Sequence, residues 1–91
     1  MMDGQKVVMY STRFCPYCMR AKALLESKGV DFENIPVDSS MEKRREMMAR
    51  SKRSTVPQIW VGETHVGGCD ELYYLERNGE LDALLAGGTS A

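Results

Sequence analysis

Several features that would assign this chain to a special class are missing from it. No apolar stretch in its 91 residues approaches the ~20 residues that a membrane-spanning helix needs. Twelve Lys+Arg nearly balance 13 Asp+Glu, and a net charge of -1 gives no global reason to expect a nucleic-acid or membrane partner. Residues 1–6 lack the apolar segment of a secretory signal. Three cysteines, an odd number, do not make a secreted disulfide framework. We therefore expect a cytoplasmic protein whose cysteines serve catalysis or metal binding.

The remaining composition is that of one small globular domain. Hydrophobic residues make up 43% and charged residues 27% of the chain, which is ordinary for such a domain. Chains of this length do fold alone. The sequence shows no repeat, low-complexity segment or internal linker. We expect a single domain over residues 1–91, with residues 87–91 as a flexible tail.

The most informative motif is Cys15-Pro16-Tyr17-Cys18, which stands between an apolar run and a helix-forming stretch. The start of a helix offers unpaired N–H groups and the positive end of a dipole, and both favour a thiolate at Cys15. A thiolate is the species that attacks disulfides. Cys18 shares a helical face with Cys15 and can close a disulfide onto it. The motif therefore predicts thiol–disulfide exchange.

Apolar runs and turn residues predict the element order β-α-β-α-β-β-α, with a short further helix around 81–85. The predicted strands are Lys6–Tyr10, Phe32–Val37, Val56–Val61 and Thr64–Val66, and the predicted helices are Pro16–Lys28, one ending near Ser51, and Cys69–Arg77. Ser39 with Glu42 predicts a capping box at the start of the second helix. A strand-helix-strand crossover requires a parallel pair and the final hairpin an antiparallel one. The pattern predicts an α/β thioredoxin-like fold, a four-stranded mixed sheet with helices on both faces.

The chain contains three separated motifs in this order: the Cys-x-x-Cys motif, Thr55-Val56-Pro57 and Gly67-Gly68-Cys69-Asp70. Together they resemble a glutaredoxin of the small dithiol class, and the likeness covers nearly the whole chain. The tetrapeptide differs from the Cys-Gly-Pro-Cys of thioredoxins and from the single cysteine of monothiol glutaredoxins. The resemblance implies a glutathione site in which Cys15 is the nucleophile and carries the mixed disulfide.

The resemblance also implies a role for each part of that site. Pro57 would be a cis proline, so that Val56 presents its N–H and C=O to the cysteinyl part of glutathione, with Thr55 just before it. Gly68 would let the backbone approach the ligand closely. The N–H groups at Cys69 would suit the γ-glutamyl carboxylate, and the Asp70 carboxylate would suit the α-ammonium.

Three more side chains complete the implied site. Tyr17 would flank the glycyl end of glutathione. The family usually has Lys or Arg three residues before the first cysteine, where this chain has Thr12, so we expect Arg13 to supply that charge. The segment 43–53 holds half of all Lys+Arg, mostly as a solvated helix face. Within it Arg53, closest to Thr55, is the best candidate for the glycyl carboxylate. The segment has no interleaved aromatics, so it does not indicate nucleic-acid binding.

Other interpretations of the same residues stay open at this point. His65-x-x-x-Cys69 together with the Cys-x-x-Cys motif has spacing compatible with a Cys₃His zinc site. Glutaredoxin-like domains can also bridge a glutathione-ligated iron–sulfur cluster between two subunits. Pro16 argues against both, because it makes a poor zinc-knuckle turn and stiffens the loop that would surround a cluster. We expect Cys69 to be a buried small residue rather than a secondary redox thiol, and His65 to pack locally rather than act as a base.

These observations predict a glutathione-dependent disulfide oxidoreductase. Cys15 alone would reduce protein–glutathione mixed disulfides, and Cys15 with Cys18 would reduce protein disulfides. Glutathione would be the reducing co-substrate, and no metal would be required. The expected partners are glutathionylated or disulfide-bonded proteins, with ribonucleotide reductase a candidate from the resemblance although no residue marks it. We expect a monomer.

Overall fold

The structure, a computed structural model, describes residues 6–86. The tail expected at 87–91 lies outside the described residues. The elements are β1 (Val7–Ser11), α1 (Pro16–Ser27), β2 (Phe32–Pro36), α2 (Met41–Ser51), β3 (Gln58–Val61), β4 (Thr64–Gly67), α3 (Cys69–Arg77) and α4 (Leu81–Leu85). The predicted order is confirmed, including the short last helix. Within residues 6–86 no helix combines the length and the apolar character needed to span a bilayer.

The four strands form one mixed sheet in the order β2-β1-β3-β4. Strand β1 runs parallel to β2, which it reaches through the α1 crossover, and antiparallel to β3. Strand β4 pairs antiparallel with β3. The thioredoxin-like fold class is therefore confirmed. Because Tyr10 pairs with Gln58, the end of β1 lies beside the start of β3. The loops that carry Cys15 and Pro57 consequently meet at the same end of the two central strands.

Helices cover both faces of the sheet, as the sequence predicts. Alternate residues of β1 point to opposite faces, so Val7 and Met9 enter one core while Tyr10 enters the other. The first core lies under α1, α3 and α4 and consists of Val7, Met9, Ala21, Leu25, Ile59, Val61, Cys69, Leu72, Leu81 and Leu85. The second core lies under α2 and consists of Tyr10, Val37, Met47 and Trp60.

Three predicted element starts are wrong by one or two residues, and β1 begins at Val7 rather than Lys6. The cap of α2 is Ser40, whose Oγ accepts the Lys43 N–H at 3.2 Å, so the expected Ser39–Glu42 capping box does not form. Adjacent serines are equally good caps, and helix phase decides between them. Strand β3 begins at Gln58 rather than Val56, because Pro57 has no N–H to contribute to a strand ladder.

Candidate active site

Cys15 is the cap of α1, at the end of the loop that follows β1. Its Sγ accepts the Cys18 backbone N–H at 3.2 Å and lies 3.8 Å from the carbonyl oxygen of Val56. The residue is half-buried. The structure places Cys15 at the start of α1 with a backbone N–H donor to its sulfur, and its role as nucleophile stays a prediction.

Cys18 has a different environment although it lies only one turn away. It is 4% exposed. Burial, followed by its hydrogen bond with Cys15, raises the pKa of Cys18 to about 12. Cys18 therefore stays a thiol at neutral pH. The pair combines a half-buried cysteine with a buried, protonated one, which is the asymmetry that a nucleophile and a resolving thiol require.

A groove of about 320 Å³ opens beside Cys15, between the loop before β3 and the start of α3. It is lined by Tyr17, Arg53, Thr55, Val56, Pro57, Gly68, Cys69, Asp70 and Glu71. The Val56–Pro57 peptide bond is cis, as the resemblance implies. Every predicted binding residue except Arg13 lines this groove. Segments far apart in the chain are thus brought together at one concave site.

Arg13 lies apart from that groove. Its backbone N–H and its Nε both contact Asp38 Oδ2, at 3.1 Å and 3.3 Å. The Arg13 hydrogen bonds lower the pKa of the Asp38 carboxyl. The guanidinium is thus paired with a carboxylate in the loop after β2, and its expected role beside Cys15 stays a prediction.

Glu71 is a groove residue that the sequence analysis does not include. Its Oε1 accepts the Gly68 N–H at 2.7 Å and lies 3.7 Å from Arg53 Nη1. The Gly68 hydrogen bond is the main cause that lowers the pKa of Glu71, and Arg53 adds to it. Glu71 thereby connects the two walls of the groove. Its position three residues after Gly68, where a capping-box carboxylate belongs, is the signal that could have identified it.

Comparison with known proteins assigns this arrangement to a family. The family model described as Glutaredoxin matches residues 7–66. The chain belongs to the glutaredoxin family. A glutaredoxin from Pseudomonas aeruginosa is 60% identical over 80 residues, which cover 88% of this chain and 95% of that protein.

Solved glutaredoxin structures share the fold. The solution structure of glutaredoxin from Brucella melitensis has a TM-score of 0.85 and 49% identity, covering 98% of this chain and 97% of that one. The crystal structure of a buckwheat glutaredoxin–glutathione complex has a TM-score of 0.84 and 28% identity, covering 92% and 79%. Glutaredoxins are thiol oxidoreductases, so the chain has a redox function of that class.

The two further candidate metal ligands of this glutaredoxin, His65 and Cys69, pack against neighbouring side chains. The ring of His65 stacks on Trp60 with centroids 4.6 Å apart, and its Nε2 lies 2.8 Å from Gln58 Oε1. The prediction that His65 packs locally is confirmed. Cys69 is 5% exposed, and burial raises its pKa, which fits a packing role. Across residues 6–86, no three His, Cys, Asp or Glu side chains are grouped as a metal site would require.

Proposed function

We propose that this protein reduces protein–glutathione mixed disulfides through Cys15 alone and protein disulfides through Cys15 and Cys18, with glutathione as the electron donor. The observation that carries the proposal is the groove beside Cys15, because it gathers the residues that the sequence assigns to glutathione. The glutathione complex of the buckwheat relative supports the same ligand. We propose that the protein is cytoplasmic and acts as a monomer.

The first route uses Cys15 alone. Its thiolate attacks the glutathionyl sulfur of a mixed disulfide, the old S–S bond breaks, and the substrate leaves as a thiolate that takes a proton from solvent. Cys15 then carries glutathione. The thiolate of a second glutathione attacks the glutathionyl sulfur, glutathione disulfide leaves, and the Cys15 thiolate is regenerated. Over both steps, the substrate is reduced to a thiol. Its glutathionyl group joins one free glutathione and leaves as glutathione disulfide.

The groove would select the glutathionyl half of the substrate. Glutathione is an extended tripeptide with two carboxylates and one ammonium group. The Val56 backbone suits its cysteinyl peptide, as an added strand suits a sheet edge. The start of α3 suits the γ-glutamyl carboxylate, and Asp70 suits the neighbouring ammonium. Arg53, which lies 3.7 Å from Glu71, suits the glycyl carboxylate, and Tyr17 also lines the groove.

The second route needs Cys18. When Cys15 forms a mixed disulfide with a protein substrate, Cys18 attacks Cys15 Sγ and releases the substrate thiol. The Cys18 proton passes to the leaving sulfur, and a Cys15–Cys18 disulfide forms. Two glutathiones then reduce that disulfide and leave as glutathione disulfide. Because the pKa of Cys18 is raised to about 12, its deprotonation must accompany the attack.

Three serine variants test the two routes. Turnover of a glutathione mixed disulfide, coupled to glutathione reductase and NADPH, should persist in Cys18→Ser and disappear in Cys15→Ser. Reduction of a protein disulfide should disappear in both. Cys69→Ser tests the third thiol: it keeps the backbone N–H groups that the groove uses, so turnover of both substrates should persist. Turnover of the mixed disulfide by Cys15→Ser would contradict the assignment of the nucleophile. An inactive wild type that binds iron or zinc would favour the metal-binding alternative.

A further inference from the structure

The amide side chain of Gln58 contacts Thr55, one of the residues that line the groove. Gln58 is the first residue of β3 and is 0% exposed. Its Nε2 donates to both the carbonyl oxygen and the Oγ1 of Thr55, each at 3.1 Å. Its Oε1 lies 2.8 Å from His65 Nε2. A buried amide that has partners on both ends is held in one orientation.

These contacts determine which atom is the donor in each hydrogen bond. The Thr55 carbonyl can only accept, so the NH₂ end of Gln58 must face it. The oxygen end therefore faces His65, and His65 Nε2 must carry a proton. That donor is present in the neutral Nε2–H tautomer and also in the imidazolium. His65 thus fixes which way round the Gln58 amide lies.

The imidazole of His65 is held by Gln58 at Nε2 and by Trp60 at the face of its ring. His65 pairs with Trp60 across β3 and β4, and its ring is tilted 30° to that of Trp60 at a centroid distance of 4.6 Å. The guanidinium of Arg50 lies 4.4 Å from the Trp60 ring centroid, and Arg50 Nη1 donates to Tyr10 Oη at 2.8 Å. The imidazole is therefore part of a continuous set of contacts that begins at α2.

We propose that Gln58 and His65 are positioning residues for the groove, and that they hold Thr55 so that the adjoining Val56 backbone faces glutathione. Thr55 and Val56 line the groove, whereas Gln58 and His65 do not. Gln58 acts on Thr55 directly, and His65 acts through Gln58. The inference rests on the proposed function, because it names what the positioned backbone binds.

The decisive variant is His65→Phe, which keeps an aromatic ring against Trp60 and removes only the donor to Gln58. Loss of one hydrogen bond of this kind should raise the KM for a glutathione mixed disulfide about three- to tenfold. The kcat and the rate at which iodoacetamide alkylates Cys15 should stay within about twofold of wild type, since the reacting sulfur is untouched. His65→Gln, which restores an N–H donor, should bring the KM part of the way back to the wild-type value. Thr64→Val, an exposed neighbour on β4, is the control.

A second measurement separates this inference from the proposed function. Nitrogen NMR of the wild-type imidazole should show a protonated Nε2 and an unprotonated Nδ1 at neutral pH, whatever the activity. The backbone amide signals of Thr55 and Val56 should move in His65→Phe and not in Thr64→Val. A wild-type protein without glutathione turnover would overturn the function, and the NMR would still decide the positioning role. Three outcomes would overturn the inference. The first is an unchanged KM in an active His65→Phe variant, and the second is unmoved Thr55 and Val56 signals in that variant. The third is a wild-type His65 that carries its proton on Nδ1 instead of Nε2.

Discussion

The two faces of the sheet are filled by different kinds of side chain. Under α1, α3 and α4 the core consists of aliphatic and sulfur-containing residues without hydroxyl or ring nitrogen atoms. Under α2 the core includes Tyr10 and Trp60, packed edge to face with centroids 5.3 Å apart. Their polar neighbours follow at once: Tyr10 Oη donates to Glu46, and Arg50 lies over Trp60. We call these the apolar face and the networked face.

The difference matters because apolar contacts mainly stabilise the fold, whereas polar and aromatic contacts fix the orientation of side chains. Burial of apolar surface stabilises a fold roughly in proportion to area and has little directional preference. Hydrogen bonds and aromatic contacts in a low-dielectric interior fix orientation. The networked face continues through His65 and Gln58 to the loop that lines the groove. We infer that the apolar face supplies most of the stability, and that the networked face sets the geometry of the site.

The largest expected effect tests the apolar face. Leu72 on α3 is 0% exposed, so Leu72→Ala should leave a cavity and lower the free energy of unfolding by about 3 kcal/mol. Urea denaturation followed by circular dichroism measures the loss. At temperatures where the variant stays folded, the KM for a glutathione mixed disulfide should be close to that of wild type. A loss below about 1 kcal/mol would remove the distinction between the faces.

A smaller effect should follow when the networked face loses one group. Tyr10→Phe keeps the ring against Trp60 and deletes the hydroxyl, which joins Glu46 and Arg50. The free energy of unfolding should fall by about 1 kcal/mol, the usual value of a hydrogen-bonded hydroxyl. The same denaturation experiment measures it. Tyr74→Phe, at an exposed tyrosine on α3, is the control and should change stability by no more than a few tenths of a kcal/mol. Equal losses at both positions would contradict the assigned network.

The sequence predicted the fold and most of the groove because each depends on short stretches of chain. Hydrophobic periods and turn residues define the elements, and the crossover fixes the parallel pair. Thr55-Val56-Pro57 and Gly67-Gly68-Cys69-Asp70 each hold several groove residues in one contiguous motif. The loop ends that carry these motifs meet once the strands pair.

Contacts between distant residues could not be predicted in the same way. The bond between Gln58 and His65 depends on the β3–β4 register, which has an irregularity between Ile59 and Trp60 that no local pattern encodes. Arg13 contacts Asp38, 25 residues away, because two loops converge at the end of the sheet. Such pairings are set by tertiary geometry, which overrides what a single stretch of sequence indicates.

The smallest expected effect is the acid dependence of the networked face. The Tyr10 hydrogen bond is the main cause that lowers the pKa of Glu46 in the folded chain. A carboxyl whose pKa is lower when folded stabilises the protein above its ordinary pKa, and this contribution is lost as pH falls through the folded value. Glu46→Gln should therefore make the loss of stability between pH 7 and about pH 3 smaller, by no more than about 1 kcal/mol because the pair is partly exposed. Glu63→Gln, at an exposed position in the turn between β3 and β4, is the matched control. If both variants flatten the pH profile equally, the acid dependence reflects general charge rather than the Tyr10 contact.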